Sequence, residues 1–220
     1  MTVRQASRTH PPPLQPGHAL WLGAGFLALA AAQVDRPYVE LAALQHIPSL
    51  VGLLACAWLA RRGRLSVAAT GCIVLFLIAH TIGGRYLYTN TPYDQWIAAL
   101  LGSGPSDWFG WTRNHYDRFV HFLFGALAVR PYIELTRHVP SRPKASALIA
   151  ATGFVLAASA AYEVFEWGLT LVMSGEDAER YNGQQGDFWD AQKDMALAWL
   201  GAVAAALLLR LAAARRQSAP

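Results

Sequence analysis

The chain has 220 residues, 54% of them hydrophobic and only 15% charged, with a mean hydropathy of +0.25. A soluble domain is about a quarter charged, so the composition excludes an ordinary water-soluble core and points to a membrane protein. The net charge of +4 is dispersed over many short segments, which is not the concentrated basic footprint of a nucleic-acid binder.

A bilayer-spanning helix needs roughly 20 mainly apolar residues. Six runs approach or exceed that length: 19–34, 41–60, 65–83, 119–135, 145–173 and 191–214. The first is short, and its inner end is expected to borrow from residues 14–18. The expected fold is an all-α polytopic membrane bundle of about six transmembrane helices. It forms one domain over residues 17–214, between cytoplasmic tails at 1–16 and 215–220, of which residues 1–15 and 217–220 are expected to be disordered. A cleavable signal peptide is the alternative for the first run, with Arg4 and Arg8 as its charged region. The Pro-rich stretch at residues 10–13 favours a retained helix.

Orientation follows from the Lys/Arg bias of short loops. Arg4 and Arg8, Arg61, Arg62 and Arg64, Arg130, Arg137, Arg142 and Lys144, and Arg210, Arg215 and Arg216 all fall on alternate connections. Of the fourteen acidic residues only Glu134 falls on that same side. The chain is therefore expected N-in and C-in, and the high Ala and Arg content favours the inner (plasma) membrane of a bacterium as its address. Cys56 and Cys72 lie within the second and third runs and read as packing residues.

The outer connections are the richer ones. Residues 84–116 contain Trp96, Trp108 and Trp111, which suit the membrane interface. Within them residues 95–101 form a short apolar segment that Asp94 is placed to cap. The last outer link, 174–190, is acidic and polar, and its glycines mark tight turns.

Ionisable residues gather at the outer ends of the runs. Asp117 and His121 are four apart, so they share a helix face; Glu163 and Glu166, three apart, do the same. Asp187, Asp190 and Asp194 form a stripe at the start of the last helix. Acids suit a helix N-terminus, but Asp194 lies about a turn deeper than capping requires. His80 and His46 reach the same depth from two further helices, each also readable as a hydrogen-bonded interfacial histidine. Two glutamates side by side in a low dielectric repel, and so call for a proton or a cation. Intramembrane ionisable groups mark functional sites.

These ligand types suit a divalent ion, Zn²⁺, Mn²⁺ or Mg²⁺, without selecting one. The candidate metal ligands are His80, His121, Asp117, Asp187, Asp190 and Asp194. Glu163, Glu166, Asp117 and His121 are the candidate catalytic groups. Arg113, Arg118, His115 and Lys193 are placed to meet a substrate, the arginines through an anionic head group.

Tyr86, His115-Tyr116-Asp117-Arg118 with His121-Phe122, Glu163 with Glu166-Trp167, and the run Gly186-Asp187-x-Trp189-Asp190-x-Gln192-Lys193-Asp194-Met195 resemble the bacterial YjdF-like inner-membrane proteins. That resemblance implies the fold and the membrane address, and no reaction. More distantly, Asp117/His121, Glu163/Glu166 and Asp190/Asp194 with Gly201 resemble VanZ-like membrane proteins. That group is linked to glycopeptide-antibiotic tolerance, which implies the cell envelope. Ala198 and Trp199 stand where its pattern commonly has an asparagine.

Three functions fit these residues. The first is a metal-dependent hydrolase or transferase acting on an envelope lipid or lipid-linked substrate at the outer leaflet. The second is a small cation- or proton-coupled carrier or binding protein. The third is a structural membrane protein whose outer loops dock a partner. The oligomeric state is open in all three.

Overall fold

The computed structural model describes residues 14–136 and 144–217. The N-terminal tail before residue 14, the C-terminal residues 218–220, and Arg4, Arg8, Arg137 and Arg142 lie outside the described residues. So does the Pro-rich stretch. Among the described residues all regular structure is helical: α1 (Pro16–Ala31), α2 (Ala42–Arg61), α3 (Val67–Arg85), α4 (Tyr93–Leu101), α5 (Pro105–Phe109), α6 (Tyr116–Leu135), α7 (Ala145–Thr170), α8 (Gly175–Asn182) and α9 (Asp190–Gln217).

Four of these, α2, α3, α7 and α9, are long and apolar enough to cross a membrane. The other two expected spans correspond to α1, an apolar helix of 16 residues, and α6, whose 20 residues include Asp117, Arg118, Arg130 and Glu134. Leu20, Leu27, Ile149 and Leu208 are each at least 67% exposed. Such side chains are at home against hydrocarbon and would drive aggregation in water.

Local chemistry sets the helix ends. Pro16 opens α1, where a missing N–H costs nothing, and the Ser66 hydroxyl caps α3 by accepting from Ala69 N at 3.1 Å. Gly102 and Gly110 end α4 and α5 in the left-handed region, at φ +85° and +65°. Asp94 does not cap α4. The helix starts at Tyr93 with Pro92 as its N-cap, leaving Asp94 inside the first turn, where its Oδ1 accepts from Ser106 N at 2.8 Å and ties α4 to α5. The acidic outer link is not all loop: α8 forms there, capped by Ser174 and ended by Gly183 at φ +67°.

Two packed groups make up the body. Leu22, Leu53, Val74 and Leu77 hold α1, α2 and α3 together, and Val129, Val155, Ala198 and Ala202 hold α6, α7 and α9. A smaller cluster of Ala79, Tyr88, Tyr116 and Val120 joins them across α3 and α6. At the opposite end from that cluster, Glu134 accepts from Ser66 N and Oγ at 2.7 Å each and from Arg130 Nε at 3.2 Å.

The closest helix pairing is α6 with α9. A Cβ on Gly125 would stand 1.7 Å from the Ala198 carbonyl oxygen, and one on Gly201 would stand 2.2 Å from that of Phe122. Only glycine permits backbones this near. The two helices run side by side in the same direction, so the polar residues that open α6 face those that open α9.

Candidate metal centre

Asp117 and His121 stand one turn apart on α6, and Asp194 faces them from α9. One ligand atom from each lies within 4.8 Å of the others. His121 Nε2 is 3.7 Å from Asp117 Oδ1 and 3.6 Å from Glu163 Oε1, the latter reaching in from α7. Zn–N and Zn–O bonds are about 2 Å, so Asp117, His121 and Asp194 would hold one ion after small side-chain adjustments. Asp194 is 2% exposed and His121 8%. The Oδ1 of Asp194 and the Oε1 of Glu163 are buried without a hydrogen-bond donor. Buried carboxyl oxygens normally have a partner, and both belong to residues grouped around His121.

A second polar layer lies outward of this one. Arg113 pairs with Asp190 at 2.9 Å and Asp187 at 3.3 Å. Arg118 bridges Asp190 at 3.1 Å and also Asp187, while Lys193 reaches Asp187 at 2.6 Å. Lys193 first, then the backbone of Trp189 and the Arg118 guanidinium, hold the Asp187 carboxyl well below the usual carboxylate range. The loop before α9 is latched to the segment before α6. Asn114 N donates to Gln185 Oε1, Gln185 Nε2 returns a bond to the Asn114 carbonyl, both at 3.0 Å, and Gln185 adopts φ +50° to do so.

Asp187 and Asp190 are thus gathered with the arginines, not with the inner trio of Asp117, His121 and Asp194. The charges of Arg113, Arg118 and Lys193, expected to meet a substrate, are met by these two aspartates. His115 occupies the N-cap position of α6 without a side-chain capping bond, and its ring lies tilted against Trp111 at 4.4 Å, apart from the inner cluster. Glu166 lies one turn beyond Glu163 on α7, and its backbone carbonyl receives the Asn182 side-chain amide at 3.3 Å. His46 is hydrogen-bonded to the Gln33 amide at 3.1 Å and the Thr81 carbonyl at 3.4 Å, so it is a satisfied interfacial histidine.

His80 lines a cavity of about 340 Å³ that opens onto Asp117 and His121, with Tyr88, Ser159 and Tyr162 as its other polar walls. Its Nδ1 is hydrogen-bonded to the Tyr88 hydroxyl. Leu87 and Tyr88 both have left-handed backbones, φ +50° and +55°, an unusual run for non-glycine residues that turns the Tyr88 ring back over Gly83. Burial, and after it the Asp117 carboxyl, push the Tyr88 phenol well above its ordinary range, so it remains a hydrogen-bond donor.

Sequence reasoning did not single out Tyr88, Ser159 or Gly125. Gly125 had a signal: it continues the four-residue steps of Asp117 and His121, as Ala198 and Ala202 continue those of Asp190 and Asp194. Tyr88 had none, because only the strained turn brings it to His80.

Comparison with known proteins places the arrangement. The profile of a family described as "Predicted membrane protein (DUF2238)" matches residues 17–215. The chain belongs to this family. It is similar to inner membrane protein YjdF of Escherichia coli (strain K12), 35% identical over 153 residues and 68% of each chain. No solved structure matches it. The family and the apolar helices make it an integral, multi-pass membrane protein, with the inner-membrane address that the family resemblance implied.

Proposed function

We propose that the protein is a membrane-embedded, metal-dependent hydrolase or transferase acting on a lipid or lipid-linked substrate at the outer leaflet. The observation that carries this reading is the grouping of Asp117, His121 and Asp194 beside a cavity lined by the first two, with Glu163 3.6 Å from His121 and an oxygen each of Asp194 and Glu163 buried without a hydrogen-bond partner. In this reading residues 17–214 form one domain in which α1 and α6 also span. Both chain ends are cytoplasmic, which puts the cluster at the outer face.

Asp117, His121 and Asp194 would hold a divalent ion, which supplies a more acidic bound water and a polarised substrate carbonyl. Glu163 would act as the general base, taking the proton of a water whose oxygen bonds to the carbonyl carbon and returning it to the departing alkoxide as the ester C–O bond breaks. Glu166, one turn further out, supports Glu163. The surplus of carboxyls also supports a second reading, a cation- or proton-binding carrier. The gathering of the ionisable groups at one depth favours the enzyme.

The test is metal content of the purified full-length protein by mass spectrometry, beside Asp117→Asn, His121→Ala and Asp194→Asn. Near-stoichiometric metal, lost in each folded variant, is expected. A folded wild type that binds none of zinc, manganese or magnesium on addition sinks the metalloenzyme and sends the search to proton and cation transport.

A further inference from the structure

The cavity above the cluster lies between two groups of helices. Phe76 and Leu77 of α3, with Pro48 of α2, stand on one side, and Ala158 and Ser159 of α7 on the other. Among the described residues α7 packs along α6, α8 and α9 and makes no extended contact with α2 or α3. In a bilayer, a cleft between spanning helices faces hydrocarbon, and what hydrocarbon delivers to it is a lipid chain.

Charge then selects among lipids. No lysine or arginine is among the residues lining this cavity. The cations nearest the cluster, Arg113, Arg118 and Lys193, are paired with Asp187 and Asp190. Asp117 lines the cavity beside His121, and Asp194 and Glu163 stand next to these two, with Glu166 one turn beyond Glu163. A divalent ion held there leaves no positive charge over for a phosphate, and in a low dielectric the repulsion is poorly screened. The other polar wall is uncharged. Tyr88 is a held phenol donor, and Ser159 is 2% exposed with an Oγ that has no hydrogen-bond partner. A buried hydroxyl left free at a cavity wall suits an ester or alcohol oxygen.

The geometry points to an uncharged lipid, carrying an ester or alcohol and no phosphate, as the ligand that enters this cavity sideways between α2 and α7. This deepens the reading of the site as a lipid-acting centre and rests on it for the chemistry, though not for binding.

The experiment uses delipidated full-length protein and two probes with the same acyl chains, dioleoylglycerol and dioleoyl phosphatidate, counted as bound lipid by native mass spectrometry. Dioleoylglycerol is expected at one per chain, preferred by at least about tenfold in competition. Ala158→Phe, which fills the cavity away from the cluster, is expected to weaken it by about tenfold while metal content is unchanged. Equal or better binding of phosphatidate overturns the inference, as does a folded Ala158→Phe that binds like wild type. Should that variant not fold, the wild-type competition decides alone. Metal-loaded protein that takes neither lipid refutes this inference and leaves the metal site standing. Metal-free protein that takes dioleoylglycerol does the reverse.

Discussion

Gly125 lies against the carbonyl of Ala198 so closely that a Cβ there would stand 1.7 Å from the oxygen. The same ridge of α6 carries Asp117 and His121 above Gly125, and the same ridge of α9 carries Asp194 above Ala198. The glycine contact therefore sets the distance across the candidate metal centre. Gly125→Ala or Gly201→Ala must push the helices apart, at an expected cost of about 3 kcal/mol or more, and with it metal binding. Gly153→Ala, which meets nothing within 4 Å, should leave stability the same or raise it by about 0.5–1 kcal/mol. Thermal unfolding of the three variants in one detergent, with metal analysis, checks the contrast. Equal melting of Gly125→Ala and Gly153→Ala would remove the glycine seam as the spacer.

Arg118 meets Asp190, whose side chain is 4% exposed, and Asp187 together. Arg118→Met leaves Asp190 with a single buried partner, Arg113, and is expected to cost about 3 kcal/mol, as breaking buried pairs does. Arg130, 35% exposed at the other end of α6, should cost under about 1 kcal/mol when replaced by Met. Melting curves of the pair decide it, and similar small losses would show that the outer layer is not tightly coupled.

The depressed Asp187 carboxyl gives a pH test. Its folded pKa lies below its unfolded value, so the stability it contributes is fully present above the unfolded pKa of about 4 and is lost as pH falls through the folded one. The melting difference between wild type and Asp187→Asn should stay constant from pH 8 to pH 5 and shrink only in stronger acid. A difference already shrinking between pH 8 and pH 6 contradicts the arrangement with Lys193 and Arg118.

Tyr88→Phe removes the partner of a part-buried His80 nitrogen, for an expected loss of about 1 kcal/mol. Glu163→Gln keeps the three ligand atoms but alters the group beside them, and should lower metal affinity by about 10–100-fold. Unfolding and a metal-competition titration read these separately. Undiminished affinity in Glu163→Gln would detach Glu163 from the site.

Hydropathy located the helices because a bilayer demands long apolar runs with satisfied backbones. The residues of 41–60, 65–83, 145–173 and 191–214 reappear nearly unchanged as α2, α3, α7 and α9. Spacing also placed Asp117 with His121 and Glu163 with Glu166 on shared faces, because helical periodicity is a local property. The division of the acids is not local. Asp187, Asp190 and Asp194 make one stripe in the sequence, yet the first two turn to Arg113 and Arg118 and the third to His121. Where α9 is pressed against α6, four residues of helix separate a layer paired with arginines from one grouped around His121. The cleft beside α7 and the Tyr88 turn over His80 likewise exist only once the helices are packed. Composition and periodicity determined that this chain is a helical membrane protein with carboxyls near one end of its bundle. Close packing through two glycines decided which of those carboxyls meet arginine and which gather around His121.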